Sequence, residues 1–289
     1  AKPTIDMCED YLVIYDKKGT QIYIMTSQGL VSNIETTMTI EQVSIAAQGT
    51  VAVLMGDQSN SYLVVYDKNG KELVNGAIYG EDGGYPIAIA LSNDAIKLAV
   101  SMLDINDGNV KTTIAFYNFG SVGENEIDRI VSANSFSDMV IPQLDFVSDD
   151  RMVAYGDSEI VIFEGTQKPK LAQEIPLTGE AKSIFNNNKY VGVVYSNNDE
   201  NLTHHVAVYD MHGFTVMEKD FSQEYTEIGF LPNNEVCILN EHSCDIYTVR
   251  GIYKFHYDFD EELYKIISGG TGLNYTIILE NSTEKVRLK

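Results

Sequence analysis

The sequence contains no tryptophan and only three cysteines among its 289 residues. An odd number of cysteines leaves at least one thiol unpaired, so Cys8, Cys237 and Cys244 do not form a disulfide framework. The cysteine content therefore does not identify the redox compartment. The chain also lacks any run of about 18 apolar residues, which excludes a membrane-spanning helix within it.

Basic residues are scarce as well. The chain has 20 Lys and Arg residues against 42 Asp and Glu residues, a formal net charge of −22. Such a surface repels phosphate backbones and anionic lipid head groups, so we expect no nucleic-acid partner and no charge-driven docking on a membrane. Cationic partners and divalent ions stay open, although a charge of this kind most often serves solubility.

Helical patterns are nearly absent, and the best candidate, GENEIDRIV at residues 123–131, is short. A strand-turn-strand phrase recurs instead. In YLVVYDKNGKELV, residues 62–74, β-branched and aromatic residues indicate a strand. The following residues 67–70 favour a turn, because Asn and Gly accept left-handed dihedral angles. The phrase therefore predicts a β-hairpin.

Related phrases recur every 38 to 51 residues along the chain. Their reference positions, near the turn glycine, are Met25, Tyr66, Tyr117, Phe163, Tyr209 and Tyr247. Two further strand-like runs lie between successive hairpins, which gives four strands per unit and a period typical of a propeller blade. Six units and three extra strands over residues 263–288 predict an all-β propeller with seven blades of four antiparallel strands.

We expect a single domain over residues 1–289. The last blade has three strands in this pattern, so we expect a strand at or before residue 1 to complete it, because ring closure removes exposed strand edges.

Two resemblances support this fold. IAIALSNDAIKLAV, residues 87–100, is similar to a phrase of WD40-like, TolB-like and quinoprotein-like propellers, although the sequence lacks their tryptophan signatures. Over its whole length, and most specifically in FYNFGSVGENEID at residues 116–128, the chain resembles an uncharacterised family of bacterial propeller proteins. That resemblance implies a propeller on the extracytoplasmic face of the cell envelope, anchored by an N-terminal transmembrane helix that precedes this sequence. It implies no activity.

Two segments have the composition of a metal site but the wrong spacing. Cys237, His242 and Cys244 lack the close ligand pairs of zinc sites, so we expect buried thiols and an exposed turn histidine. DINDGN, residues 104–109, places its glycine one residue too early for an EF-hand loop, which favours a hairpin loop between strands at 96–103 and 110–118. We predict neither a metal nor a cofactor.

Ligand-binding candidates are few. Tyr85 follows a Gly-rich turn at the start of an inner strand, so we expect its ring at the mouth of the funnel. Asp82 and Asp104 complete the predicted ligand-binding set. No G-x-S-x-G motif occurs, and no carboxylate pair stands out among the acidic residues, so the catalytic residues of any enzyme stay unknown.

The sequence favours a non-enzymatic binding or scaffold module that contacts an envelope protein, a peptide or a cell-wall glycan. The alternative is a glycan-active enzyme that uses a carboxylate pair in the funnel, and a third reading is a calcium-stabilised structural propeller. Fold alone does not separate these functions. The loops expected to make the contacts are residues 56–61, 79–86, 104–110 and 196–204.

Overall fold

A computed structural model describes residues 2–57, 60–78, 84–199, 201–270 and 272–288. These residues form 27 β-strands and no α-helix. Two short 3-10 turns, Gly123–Asn125 and Ile127–Arg129, occupy the segment with the helix-like pattern. No helix of the described residues has the length and apolarity needed to cross a membrane.

The chain divides into two compact units, Ala1–Pro176 and Leu177–Lys289. Unit 1 contains four antiparallel sheets in which consecutive strands are neighbours. Sheet 1 comprises β1 (Lys2–Cys8), β2 (Tyr11–Lys17), β3 (Gln21–Thr26) and β4 (Gly29–Glu35). Sheet 2 comprises β5 (Thr39–Ile45), β6 (Val51–Gly56), β7 (Ser61–Tyr66) and β8 (Glu72–Ile78). Sheet 3 comprises β9 (Tyr85–Leu91), β10 (Lys97–Asn106), β11 (Asn109–Asn118) and β12 (Ile130–Ser137). Sheet 4 comprises β13 (Gln143–Ser148), β14 (Arg151–Tyr155), β15 (Glu159–Glu164) and β16 (Lys170–Pro176).

Unit 2 contains three sheets of the same kind. Sheet 5 comprises β17 (Ala181–Asn186), β18 (Tyr190–Asp199), β19 (Leu202–Asp210) and β20 (Thr215–Phe221). Sheet 6 comprises β21 (Glu227–Phe230), β22 (Val236–Leu239), β23 (Ser243–Tyr247) and β24 (Tyr253–Asp258). Sheet 7 comprises β25 (Leu263–Ser268), β26 (Asn274–Leu279) and β27 (Thr283–Arg287). The predicted strand pattern is confirmed, whereas the single domain and the completing strand stay predictions.

The recurring hairpin phrase forms the third and fourth strands of sheets 1 to 6. In sheet 2 the ladder shifts register between Val65 and Tyr66, immediately before the turn. The other five sheets shift at Ile24/Met25, Phe116/Tyr117, Ile162/Phe163, Val208/Tyr209 and Ile246/Tyr247. A bulge of this kind bends the strand and increases its twist. The repeated phrase therefore encodes a repeated bend in the fourth strand of sheets 1 to 6.

The turn residues of the phrase have a direct structural role. The Asp67 carboxylate accepts hydrogen bonds from the backbone N–H groups of Asn69 and Lys71, both at 2.9 Å. In sheet 5 the Asp210 carboxylate accepts from His212 and Phe214 in the same way, at 2.9 and 3.0 Å. These side chains satisfy turn amides that the ladder leaves unpaired, which explains why an aspartate follows the aromatic residue.

The core of each unit lies between successive sheets. Val13, Ile22 and Ile24 of sheet 1 are buried in one cluster with Val43 and Val53 of sheet 2. Further buried clusters lie between sheets 2 and 3, 3 and 4, 5 and 6, and 6 and 7. The sequence of a strand that is packed on both faces is a continuous apolar run, and β6, in which every residue is buried, has such a sequence. Each such Val or Ile side chain contributes about 1.5–3 kcal/mol on burial.

A buried polar network connects sheets 6 and 7. The Lys254 ammonium group pairs with the Glu235 carboxylate and donates to the Gly272 carbonyl at 2.7 Å and to the Tyr275 hydroxyl at 2.8 Å. The Tyr275 hydroxyl donates to Glu235 Oε2 at 2.7 Å. The side chains of Lys254 and Glu235 are only 20% and 10% exposed, so each charge depends on the other.

We predict that Lys254→Met lowers the free energy of unfolding by about 3 kcal/mol, because it leaves the buried Glu235 carboxylate without its cation. The matched control is Lys265→Met, since the Lys265–Glu227 pair is about half exposed at 56% and 53%. That change is expected to cost under about 1 kcal/mol. Urea unfolding of both variants measures the difference, and equal losses would contradict a structural role for the network.

Candidate functional site

The first strands of sheets 1 to 4 line a cleft of about 330 Å³ in unit 1, here called the first-strand cleft. Asp6, Ser44, Ala90 and Asp145 occupy equivalent positions in it. Each of them pairs with a residue of the second strand in its sheet. That second-strand residue pairs in turn with the last third-strand residue before the register shift. The repeated ladder therefore places two carboxylates at one level of the cleft.

Side chains connect these first strands to one another. Asp6 Oδ2 accepts a hydrogen bond from the Ile45 N–H group at 2.9 Å. The Gln42 amide donates to the Ile89 carbonyl at 3.0 Å and accepts from the Ile89 N–H group at 2.9 Å. Ser44 Oγ accepts from the Leu91 N–H group at 3.0 Å. These contacts satisfy backbone groups that face a neighbouring sheet instead of a ladder partner, and they hold the cleft wall in place.

The environment of the cleft raises the pKa values of Asp6 and Cys8. Burial raises the pKa of Asp6, hydrogen bonds from Ile45, Met7 and Ser44 oppose the rise, and the nearby charge of Asp145 adds to it. Burial, followed by the charges of Glu9 and Asp6, raises the pKa of the Cys8 thiol to about 11. Cys8 is therefore protonated at neutral pH and is not an activated nucleophile.

The segment DINDGN forms part of a long hairpin in sheet 3, as predicted, but the loop is shorter than expected. The ladder continues to the Asn106–Asn109 pair, which leaves only Asp107 and Gly108 in the turn. Both have positive φ angles, 50° and 82°, as a two-residue hairpin turn requires. Residues 104–106 are thus strand residues, and the hairpin extends beyond the last β9 pair.

The predicted ligand-binding residues do not share one surface. Tyr85 is exposed and pairs directly with Leu103, so Asp104, the next residue, faces the opposite side of sheet 3. Asp104 forms an ion pair with Lys111, with an N–O distance of 3.4 Å. Asp82 lies outside the described residues. Binding by these residues stays a prediction, but Tyr85 and Asp104 do not contact a ligand from the same face.

Tyr85 instead lies beside an apolar residue that sequence reasoning missed. Ile105 is two residues beyond Leu103 on β10, so it faces the same side as Tyr85, and both side chains are 66% exposed. Gly84 places Tyr85 there. It has a φ of +88°, and a Cβ atom at this position would lie 2.6 Å from the carbonyl atoms of Leu103. Only glycine allows this approach.

The other sequence candidates are structural. Cys237 and Cys244 are buried and His242 is exposed, as predicted, and the two thiols share one face of sheet 6. Within the described residues, no group of three or more His, Cys, Asp or Glu side chains is arranged to hold a metal ion. His204 packs against the rings of Phe221 and Tyr225, with centroid distances of 5.0 and 5.2 Å.

A family model described as a family of unknown function, DUF5711, matches residues 1–288. The chain belongs to this family. The match confirms the resemblance to an uncharacterised family that the sequence indicated. No curated protein matches the sequence.

Solved structures resemble the chain in fold. BamB from Moraxella catarrhalis is 12% identical with a TM-score of 0.52, and the match covers 99% of this chain and 82% of BamB. The WD40 domain of Neurospora crassa Pan2 is 11% identical with a TM-score of 0.54, covering 99% and 87%. BBS1N, solved in complex with ARL6DN, is 13% identical with a TM-score of 0.55, covering 96% and 86%. Together with the seven sheets, these likenesses confirm a seven-bladed β-propeller.

We predict that Asp6→Asn becomes more stable relative to the wild type as pH rises. Because the folded-state pKa of Asp6 is raised, folding favours its protonated form. The stability that Asp6 contributes is fully present below its unfolded-state pKa of about 3.9 and is lost as pH rises through the higher folded-state value. Urea unfolding of both proteins from about pH 3 to pH 7 measures the difference.

As a control, the effect of Asp6→Asn is measured again in a protein that also carries Asp145→Asn. Without the Asp145 charge, the pH-dependent gain from Asp6→Asn is expected to shrink, because that charge raises the pKa of Asp6. A stability difference that is constant across this range, or that changes in the opposite direction, would contradict the assigned electrostatics.

Proposed function

We propose that this propeller is a non-enzymatic binding or scaffold module. The observation that carries the proposal is the surface formed by Tyr85 and Ile105, here called the hairpin patch. Scattered exposed apolar residues are common on soluble proteins. These two large side chains, each 66% exposed, lie on the same face of a ten-residue hairpin strand and its neighbour.

The hairpin patch has the properties of a protein-binding anchor. An aromatic ring and a branched aliphatic side chain supply apolar area at low entropic cost, and the ladder beneath them holds both in place. BBS1N, which resembles this chain in fold, was solved in complex with ARL6DN. This is an example of a similar fold that binds a partner. We therefore favour a protein partner over a free peptide or a cell-wall glycan.

We further propose that the module works on the extracytoplasmic face of the cell envelope, held by an N-terminal anchor that precedes this sequence. The support is the resemblance to the bacterial family, most specific at residues 116–128. The net charge of −22 agrees with a partner that carries basic residues around an apolar contact.

The test is crosslinking of the full-length protein in intact cells with a membrane-impermeant reagent. We predict that the double variant Tyr85→Glu, Ile105→Glu loses a captured partner at least about tenfold, because charged groups replace the apolar anchor. Ile252→Glu is the matched control, since Ile252 is exposed in the turn between β23 and β24 in unit 2.

Quantitative mass spectrometry of the captured proteins gives the readout. Equal capture by the wild type and the double variant would contradict binding through the hairpin patch. Capture that occurs only after cell lysis would contradict the extracytoplasmic location and leave the binding role intact.

A glycan-active enzyme is the second candidate, and one observation favours it. Asp6 has a raised pKa and lies near a second carboxylate, Asp145, in the first-strand cleft, which resembles the pairing of an acid with a carboxylate in glycosidases. The two Asp6 oxygens, however, accept backbone hydrogen bonds from Met7 and Ile45. Hydrolysis of a cell-wall glycan that Asp6→Asn abolishes would establish this function instead.

A further inference from the structure

An open groove of unit 1 lies between sheets 2 and 3, away from the first-strand cleft. It has a volume of about 780 Å³ and is here called the sheet 2–3 groove. One wall consists of the consecutive β8 residues 74–78. The other wall includes Met102 of β10, Tyr117 of β11 and residues of the connection between β11 and β12, among them Phe119. The volume lies within the range of ligand-binding clefts.

The groove exists because β8 lacks a side chain where related sheets have one. Gly76 pairs with Leu63, which lies two residues before Val65, where the ladder shifts register because β8 has the extra residue Leu73. At the same ladder position sheet 1 has Ile34 and sheet 4 has Ile175, and both isoleucines are buried. A Cβ atom built on Gly76 meets no atom within 4 Å. The glycine therefore leaves an apolar space that a side chain would fill.

A strained connection forms the rim of the groove. Asp128 and Arg129 are consecutive non-glycine residues with positive φ angles of 52° and 63°. This conformation costs about 1–2 kcal/mol per residue, and such strain is concentrated at functional positions. Both residues line the groove, and Ile127, beside them, is 87% exposed. Asp128 is the last residue of 116–128, the segment in which the family resemblance is most specific.

The charges at the groove are not equivalent. Lys111 pairs with Asp104 at 3.4 Å, so its charge is already compensated. Asp128 lines the groove as well, and its charge acts on the nearby Tyr117 hydroxyl. Within the described residues neither Asp128 nor Arg129 forms an ion pair, and Arg129 Nη1 donates to the Phe119 carbonyl at 3.5 Å. In a chain with a net charge of −22, an uncompensated guanidinium beside an apolar groove favours a ligand carboxylate.

The free edge of β8 determines the ligand conformation that fits the groove. In the described part of the chain β8 pairs only with β7, so the N–H and C=O groups on its other side have no strand partner. An exposed strand edge beside an apolar groove is the geometry of strand addition, in which the backbone gives affinity and alternate side chains give specificity. A six-residue strand spans about 20 Å.

We propose that the sheet 2–3 groove binds an extended peptide segment of a protein partner. The segment pairs with the edge of β8, places alternate apolar side chains in the space left by Gly76, and pairs a carboxylate with Arg129. This inference rests on the proposed binding function and assigns it a second surface, on the side of sheet 3 opposite the hairpin patch.

The test selects binders of the immobilised 289-residue chain from a displayed library of random twelve-residue peptides. We expect enriched peptides with alternating apolar residues and at least one acidic residue. Gly76→Val fills the groove and is expected to weaken their binding at least tenfold. Gly229→Val is the matched control, because Gly229 is another strand glycine whose Cβ would meet no atom within 4 Å.

Arg129→Gln tests the charge contact separately. It is expected to weaken acidic peptides about fivefold to thirtyfold and to have little effect once the acidic residue of the peptide is changed to its amide. Unfolding midpoints of Gly76→Val and Gly229→Val at or above the wild-type value show that the variants are folded, as valine favours strands.

Three results would overturn the inference. They are the absence of enriched peptides, enriched peptides that bind Gly76→Val as tightly as the wild type, and tight binders that lack an acidic residue and ignore Arg129→Gln. None of these results affects the capture of a partner through Tyr85 and Ile105. Failure of the groove and failure of the proposed function are therefore distinguishable.

Discussion

Apolar packing between successive sheets is the interaction on which the rest of this protein depends. The second and third strands of the sheets are buried on both faces, as β6 and the buried core of β7 show. Since the described residues form no α-helix that covers the sheets, one sheet is the hydrophobic cover of the next within each unit. The polar contacts of Asp6, Gln42 and Ser44 then align the first strands that this packing brings together.

This packing separates the residues that stabilise the fold from those of the proposed binding surfaces. The buried strands accept little change, because interiors are close-packed and even one missing methylene group has a cost. The hairpin ends and outer strands are free to differ, and the distinctive features of the chain occur there: the Tyr85–Ile105 pair, the strained Asp128–Arg129 backbone and Gly76. Each is a local departure from the repeat, supported by a regular ladder beneath it.

The sequence was sufficient to predict the strands, because their signals are local. The alternation in YLVVY and the turn at Asp67–Gly70 specify a hairpin without reference to distant residues. The predicted pairing of the hairpin around DINDGN was also right, although the strands are longer than expected. The helix-like pattern at 123–131 gave two 3-10 turns, since the positive φ angles of Asp128 and Arg129 interrupt a helix.

The candidate sites could not be predicted in the same way, because they depend on register and on neighbouring sheets. A register shift between Ser101 and Met102 places Leu103 opposite Tyr85, where an unbroken ladder would place Asp104. One residue of slip thus moves Asp104 to the other face. Asp6 and Gly76 carry no motif, and their importance appears only when equivalent ladder positions are compared.

Native-state hydrogen exchange tests the central claim most directly, because it reports the stability of each strand separately. If packing between sheets on both faces holds the fold, the amides of β6 and β7 will exchange most slowly, near the rate set by global unfolding. The amides of β8, on the outer edge of the same sheet, will exchange through smaller openings. Protection in β8 equal to that in β6, or early local opening of β6 and β7, would contradict the account.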